Sequence, residues 1–221
     1  MIKSFIVLLL SMGLTSASPS KNIHVIFFGD SITQLGIENG GFIKLLDPLL
    51  KEKDKNNTYQ LEGAGVSGDK IYDLYLRLQK DVLDKKPDIV VIWIGVNDIW
   101  HKQTFGTGTD ADKFEKFYTA IIEKLKAQNI RVILATPAVI GEKKDFVNQQ
   151  DGELNHYSEI IRKIAVTHIC QLADMRKEFI DYNKKNNSSN NASGILTYDG
   201  VHLGKKGNEL AAEILLKAII E

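Results

Sequence analysis

The chain has 221 residues, of which 43% are hydrophobic and 25% are charged, and its 28 Lys and Arg residues balance its 28 Asp and Glu residues. This composition is close to that of an average globular domain and excludes a disordered chain. The even charge balance gives no electrostatic basis for binding nucleic acid or an anionic membrane surface. A chain of this length suits one domain, with or without an additional segment.

The first 17 residues predict a secretory signal peptide. Lys3 gives a positively charged start, and small residues at 15–17 suit cleavage after Ala17. The apolar segment 5–14 is about half of the ~20 residues that a membrane-spanning helix needs, which disfavours the alternative of an uncleaved anchor. No cysteine follows this segment, so a lipoprotein anchor is not indicated. We therefore expect one mature domain over residues 18–221, secreted or periplasmic and without a stable membrane anchor.

Five apolar runs in the mature chain predict strands, and they alternate with helical patterns. Apolar residues three and four positions apart predict amphipathic helices at 114–125 and 210–218. The run at 89–94 has no polar alternation, which is typical of a parallel strand covered on both faces. The alternation predicts an open, doubly wound α/β sheet, with the ligand site beyond the carboxyl ends of its strands. The predicted strands are 23–28, 59–63, 89–95, 132–136 and 169–174.

Two local features carry no predicted chemistry. Cys170, the only cysteine, lies in the sequence HICQLADM, which predicts a buried strand and a core residue rather than a reactive thiol. The Asn- and Ser-rich stretch 183–193 predicts a polar surface loop. Four Asn-x-Ser/Thr sequons are present, and we expect none of them to carry a glycan: Asn56, Asn186, Asn187 and Asn191.

Polar residues follow the predicted strands at the edge where a ligand site is expected. Taken singly, each has an ordinary explanation. Asp30 or Ser31 suits a helix N-cap, and the glycine loop 63–68 suits a tight turn. Asp199 and His202, three residues apart, would share one side of a helical turn. The strand-end groups are Gly29-Asp30-Ser31, Gly65 to Gly68, Gly95-Val96-Asn97-Asp98 and Asp199-Gly200-Val201-His202.

Together these groups supply the parts that acyl transfer needs. Ser31 can attack a carbonyl carbon if His202 takes its proton, and Asp199 can hold His202 in the required tautomer. The tetrahedral intermediate carries an oxyanion, which needs aimed hydrogen-bond donors. The backbone N–H groups of Ser31 and Gly68 and the side-chain amide of Asn97 are the candidates. No cluster of His, Asp or Glu has recognisable metal-ligand spacing, so we predict no metal.

The ordered blocks resemble the SGNH, or GDSL-type, hydrolase superfamily over nearly the whole mature chain. The residues that give that family its name match Ser31, Gly68, Asn97 and His202. The resemblance implies a flavodoxin-like three-layer α/β/α sandwich with a central five-stranded parallel sheet. It also implies a mechanism without metal or cofactor, and hydrolysis of an ester or thioester.

The match departs from the family pattern at two positions. Ile32 replaces the Leu of the GDSL block, and Glu62 stands where relatives often carry Asn before the glycine loop. The second departure leaves Gly65 or Gly68 as the oxyanion donor, and we prefer Gly68 because its Ser-Gly-Asp setting resembles that of relatives. The α/β-hydrolase alternative is disfavoured, since its G-x-S-x-G elbow would need Gly where Thr33 stands.

No long apolar stretch follows the predicted signal, and the loops are polar with scattered aromatic residues. In exported members of the family that the chain resembles, this profile often accompanies removal of acetyl groups from polysaccharides, so we expect an O-acetylesterase acting on acetylated carbohydrate. A lysophospholipase or acyl-thioesterase is the first alternative, and a non-catalytic glycan-binding relative is the second. Asp30, Trp100 and His101 are candidate substrate-binding residues. Trp100 with segment 101–109 suits a lid or sugar-stacking wall, or equally a plain surface loop. Segment 141–152 is a candidate pocket rim, and the expected partner is a glycan or small-molecule ester.

Overall fold

The computed structural model describes residues 20–221. The predicted signal peptide at 1–17 lies outside the described residues, so its cleavage and the export of the protein stay predictions. Within residues 20–221, no helix combines the length and the apolar character needed to cross a membrane.

A five-stranded, fully parallel sheet forms the centre of the domain, as the sequence predicts. The spatial order is β2-β1-β3-β4-β5. The third strand ends two residues earlier than expected, because Gly95 has a φ of +124° and turns the chain away from the sheet. The strands are β1 Asn22–Gly29, β2 Thr58–Gly65, β3 Ile89–Trp93, β4 Arg131–Ala135 and β5 Gln171–Ala173.

Helices cover both faces of the sheet and complete the predicted α/β/α layering. They are α1 Ser31–Gly36, α2 Phe42–Lys53, α3 Ile71–Asp81, α4 Val96–Thr104, α5 Ala111–Lys126, α6 Asp151–Thr167, α7 Met175–Asn186 and α8 Lys205–Ile220, with a single 3₁₀ turn at Leu83–Lys85. Alternate residues of a strand point to opposite faces. Val25 and Phe27 of β1 accordingly pack into the core formed with α2, α7 and α8, while Ile26 and Phe28 pack into the core formed with α3, α5 and α6.

The topology places the site between β1 and β3. The chain leaves β1 toward β2 on one side and returns to β3 on the other, so the strand order reverses at this point. Ligands of open α/β sheets bind outside the carboxyl ends of the strands at such a switch point. Ser31 follows β1 directly, and Asn97 lies in the first turn of the helix after β3.

Two local predictions are wrong. Cys170 lies before β5 rather than inside a strand, because Ile169 takes a φ of +49° in a turn and is 90% exposed. The stretch 183–193 is not wholly a surface loop, since α7 extends to Asn186 and both Asn183 and Asn187 are buried. The Asn187 amide donates hydrogen bonds to the carbonyl oxygens of Glu142 and Asn191, so this sequon is closed to modification in the folded domain.

Candidate active site

Ser31, His202 and Asp199 form a continuous hydrogen-bonded chain. Ser31 Oγ lies 2.9 Å from His202 Nε2, and His202 Nδ1 lies 2.7 Å from Asp199 Oδ2. Asp199 and His202 are not in a helical turn, contrary to the sequence expectation, but in the loop before α8. Asp199 Oδ1 accepts the backbone N–H groups of Val201 and His202, which closes a local turn and fixes the carboxyl group beside the imidazole.

The electrostatics of Asp199 set the tautomer of His202. Burial raises the pKa of Asp199, but hydrogen bonds from the His202 ring and from the backbone N–H groups of His202 and Val201 outweigh burial and hold that pKa below its usual value. Asp199 is therefore ionised at neutral pH and accepts the proton on Nδ1 of His202. The other ring nitrogen, Nε2, is then free to accept the Ser31 hydroxyl proton.

The candidate oxyanion donors lie at the ends of three elements. Ser31 N is at the start of α1, and Gly68 lies in the turn after β2 with a φ of +85°, which favours glycine. Asn97, only 3% exposed, donates one amide hydrogen bond to the Asp69 carbonyl oxygen at 3.1 Å, which leaves its second N–H for a substrate. Gly65 has a different role: a Cβ there would lie 2.2 Å from Gln34 N, so Gly65 permits α1 to pack on β2.

Two basic side chains that the sequence does not single out, Arg77 and Lys70, stabilise this edge of the sheet. Arg77 of α3 donates to the carbonyl oxygens of Gly29 at 2.8 Å and Ala64 at 3.0 Å, and to Asp69 Oδ2 at 2.7 Å. It thus ties the ends of β1 and β2 to the loop that carries Gly68. The buried Lys70 donates from Nζ to the Gly68 carbonyl oxygen at 3.0 Å. Both residues lie in ordinary helical or loop sequence, so no motif marks them.

Aromatic side chains flank the His202 imidazole. The Tyr198 ring, 61% exposed, stacks on the His202 ring with centroids 5.7 Å apart, and the Trp100 ring lies edge-on at 6.5 Å. Trp100 and His101 belong to α4, which extends to Thr104, so the predicted loop over 101–109 is shorter than expected. The His101 ring lies near Gly68, since its Cε1 would be 4.0 Å from a Cβ added at Gly68. Burial, together with the charge of Lys70, lowers the pKa of His101.

An open groove of about 360 Å³ lies beside Asp199, the end of the hydrogen-bonded chain farthest from Ser31. Its lining includes Trp100, Asp199 with Gly200, and the segment between β4 and α6. The sequence predicts this segment as a candidate rim over 141–152, and it does line the groove, although residues 151 and 152 already belong to α6. The contributors from this segment are Ile140, Gly141, Lys143, Val147, Asn148 and Gln149.

Asp30 is buried as a helix cap, so the assignment of Asp30 to substrate binding is wrong. Its carboxyl group is 2% exposed and caps α1 by accepting the Ile32 N–H at 2.9 Å. Burial raises the pKa of Asp30 to about 7, the Ile32 N–H opposes this, and the charges of Asp98 and Asp69 add to the rise. Burial likewise raises the pKa of Asp98 to about 7.

These two carboxyl groups predict that folding stability falls as the pH rises. The folded state holds their protons more tightly than the unfolded state, so their contribution is complete below the ordinary Asp pKa and is lost as the pH approaches 7. Asp30→Asn keeps an oxygen for the α1 cap but removes one titration. We expect urea unfolding to show that the free energy of unfolding falls less between about pH 5 and about pH 8 in the variant than in the wild type. Asp54→Asn is the control, because the pKa of Asp54 is lowered. A wild-type pH slope in Asp30→Asn would contradict the prediction.

The parallel α/β sheet, with serine, histidine and aspartate joined at its carboxyl edge, defines the site of a serine hydrolase. A family model for the GDSL-like lipase/acylhydrolase family matches residues 27–210, and the chain belongs to that family. The predicted resemblance to SGNH hydrolases is confirmed, and the protein is a carboxylic ester hydrolase.

Three of the proteins that the chain is similar to are named as esterases of acetate esters. The crystal structure of an acetyl xylan esterase, AlAXEase, is 58% identical, with a TM-score of 0.86, over 89% of this chain and all of that one. An acetylxylan esterase of Geobacillus stearothermophilus is 25% identical over 88% of this chain and 93% of its own length. A human isoamyl acetate-hydrolyzing esterase 1 homolog is 28% identical over 84% of this chain and 77% of its own.

Proposed function

We propose that the protein is an O-acetylesterase that removes acetyl groups from carbohydrate, with Ser31 as nucleophile, His202 as general acid and base, and Asp199 as the residue that orients His202. The observation that carries the proposal is the continuous Ser31–His202–Asp199 chain at the topological switch point. Ser31 N, Gly68 N and the Asn97 amide are assigned to the oxyanion hole.

The reaction follows from this geometry in two halves. His202 Nε2 takes the Ser31 hydroxyl proton as Oγ attacks the ester carbonyl, and the oxyanion forms toward the three donors. His202 then gives that proton to the sugar oxygen as the ester C–O bond breaks, which frees the sugar hydroxyl and leaves an acetyl group on Ser31. A water molecule, deprotonated by His202, attacks this acyl-enzyme. Collapse of the second tetrahedral intermediate breaks the bond to Ser31 Oγ, which takes the proton back from His202, and acetate is released.

The groove and the relatives support a carbohydrate leaving group. The groove beside Asp199 is open to solvent, and its volume of about 360 Å³ lies within the range of small-ligand sites. Trp100 and Tyr198 offer flat aromatic faces beside His202, and Lys143 and Gln149 add polar groups. The 58% identical structure named as an acetyl xylan esterase favours acetylated xylan as the first glycan to test.

Export is part of the same proposal. The predicted signal peptide would deliver the enzyme to polymers that are too large to enter a cell. The rival substrates, lysophospholipids and acyl-thioesters, would favour an apolar channel for a long acyl chain. A glycan-binding protein without activity would not need the activated serine that the hydrogen-bonded chain provides.

Acyl-chain preference tests the substrate class. We expect initial rates on p-nitrophenyl acetate to exceed those on the octanoate and palmitate esters by roughly tenfold or more, because an acyl site that fits acetate would reject the added methylenes. We also expect acetate release from acetylated xylan. Chemically deacetylated xylan serves as the blank. A maximum at octanoate or longer, with no acetate released from xylan, would assign the site to lipid or thioester hydrolysis instead.

A further inference from the structure

A buried carboxyl group from the β4–α6 segment holds the chain just before Asp199. Glu142 is 1% exposed, and its Oε1 accepts the backbone N–H groups of Leu196 and Thr197, each at 2.6 Å. Its Oε2 accepts the N–H of Ile195 at 2.8 Å. Hydrogen bonds to a charged acceptor are stronger than neutral ones, so this one side chain fixes three consecutive peptide groups.

Backbone hydrogen bonds of Gly141 and Glu142 also hold the β4–α6 segment to the chain around Asp199. The Gly141 N–H donates to the Gly200 carbonyl oxygen at 2.8 Å, and the Glu142 N–H donates to the Ala192 carbonyl oxygen at 2.9 Å. The segment is therefore bonded to the chain both before Asp199 and within the Asp199–His202 turn. Gly141 and Gly200 also line the groove, so the hydrogen bond between them holds both the groove wall and the Asp199–His202 turn.

The loop itself has little regular structure to hold it. Between α7 and α8, the chain forms a single isolated bridge, Thr197 to Leu203, and the Tyr198 N–H donates to the His202 carbonyl oxygen at 3.0 Å. His202 must nevertheless keep Nε2 within hydrogen-bond reach of Ser31 on a different element. A misplacement of about 1 Å in a catalytic group can reduce the rate roughly 100-fold.

We infer that Glu142 is a positioning residue for the Asp199–His202 pair, acting on catalysis through the backbone of residues 195–197. This inference rests on the proposed roles of Ser31 and His202. It assigns to the β4–α6 segment a part in the reaction beyond lining the groove. Nothing in the sequence around Glu142 marks it, because its partners lie more than 50 residues further along the chain.

Glu142→Gln tests the inference with almost no change in shape. The amide nitrogen cannot accept a hydrogen bond, so at least one of the three N–H groups faces another donor and the loop shifts. We expect kcat on p-nitrophenyl acetate to fall roughly ten- to 100-fold while KM stays within about twofold. The low-field proton resonance of His202 Nδ1–H, which reports the bond to Asp199, should broaden or move. Glu142→Asp, which keeps the charge but shortens the reach, should give a smaller fall in kcat, and it carries the test if Glu142→Gln does not fold.

Asp54→Asn is the matched control for a lost carboxyl acceptor. Asp54 also accepts several hydrogen bonds, from Asn56 N, Asn57 Nδ2 and Tyr59 Oη, but in the loop before β2 at the opposite end of the sheet. We expect it to lower thermal stability without changing kcat or the resonance. Wild-type kcat and resonance in folded Glu142→Gln, or a loss no larger than in Asp54→Asn, would overturn the inference. Full activity in His202→Ala would instead overturn the proposed function on which the inference rests.

Discussion

Ser31→Ala is expected to lower kcat on p-nitrophenyl acetate by roughly 10⁴-fold or more, because alanine cannot form the acyl-enzyme. The fold should survive the change. Asp30 caps α1 through the backbone of Ile32, and the N–H of residue 31 remains in place as an oxyanion donor. A small residual rate above that of buffer is expected from the oxyanion donors alone. The measurement is a set of initial rates on enzyme shown by thermal unfolding to be folded.

Ser158→Ala is the matched control for this variant. Ser158 is a buried serine of α6 whose hydroxyl donates to the Leu154 carbonyl oxygen within its own helix. We expect Ser158→Ala to keep the wild-type kcat. If Ser31→Ala kept more than about a tenth of the wild-type rate, the hydrolysis would proceed without an acyl-enzyme on Ser31.

Asn97→Ala is expected to lower kcat by roughly 10²–10³-fold with little change in KM, the loss typical of a single oxyanion donor. The amide is buried and held by the Asp69 carbonyl oxygen, so its free N–H is already oriented before substrate binds. Asn97→Asp should be worse still, because a carboxylate of the same shape would repel the developing oxyanion. Steady-state rates on p-nitrophenyl acetate measure both variants.

Asn57→Ala provides the comparison, since the Asn57 amide also bridges two segments but lies at the amino end of β2, away from the site. It should leave kcat unchanged. A rise in KM at constant kcat in Asn97→Ala would show that Asn97 binds the ground-state ester as strongly as the transition state. Asn97 would then have no specific role in the oxyanion hole.

The sequence predicts those parts of the site that depend on short blocks at strand ends. The apolar run at 89–94 indicates a covered parallel strand, and parallel strands bring their carboxyl ends to one edge. The sequence alone therefore places Ser31 and Asn97 near one another. Asp199 and His202 follow from their spacing, although the spacing indicates a helical turn and the structure has an Asx-type turn instead.

The supporting contacts could not be predicted because they join segments that are distant in the chain. Arg77 acts on Gly29, 48 residues away, and Glu142 acts on residues more than 50 positions later. A lone Arg in an amphipathic helix, or a lone Glu in a charged loop, has the same pattern as a solvated surface residue. The predicted fifth strand begins two residues too early for a related reason, since a turn with positive φ at Ile169 delays the start of β5 to Gln171.

Covalent labelling with a fluorophosphonate, followed by peptide mapping, tests the central claim most directly. Only a serine activated by a neighbouring base should react rapidly with this probe. We predict one adduct per chain, on Ser31, absent from Ser31→Ala and formed far more slowly in His202→Ala. An adduct on another residue, or undiminished labelling of Ser31→Ala, would contradict the assignment of Ser31 as the nucleophile.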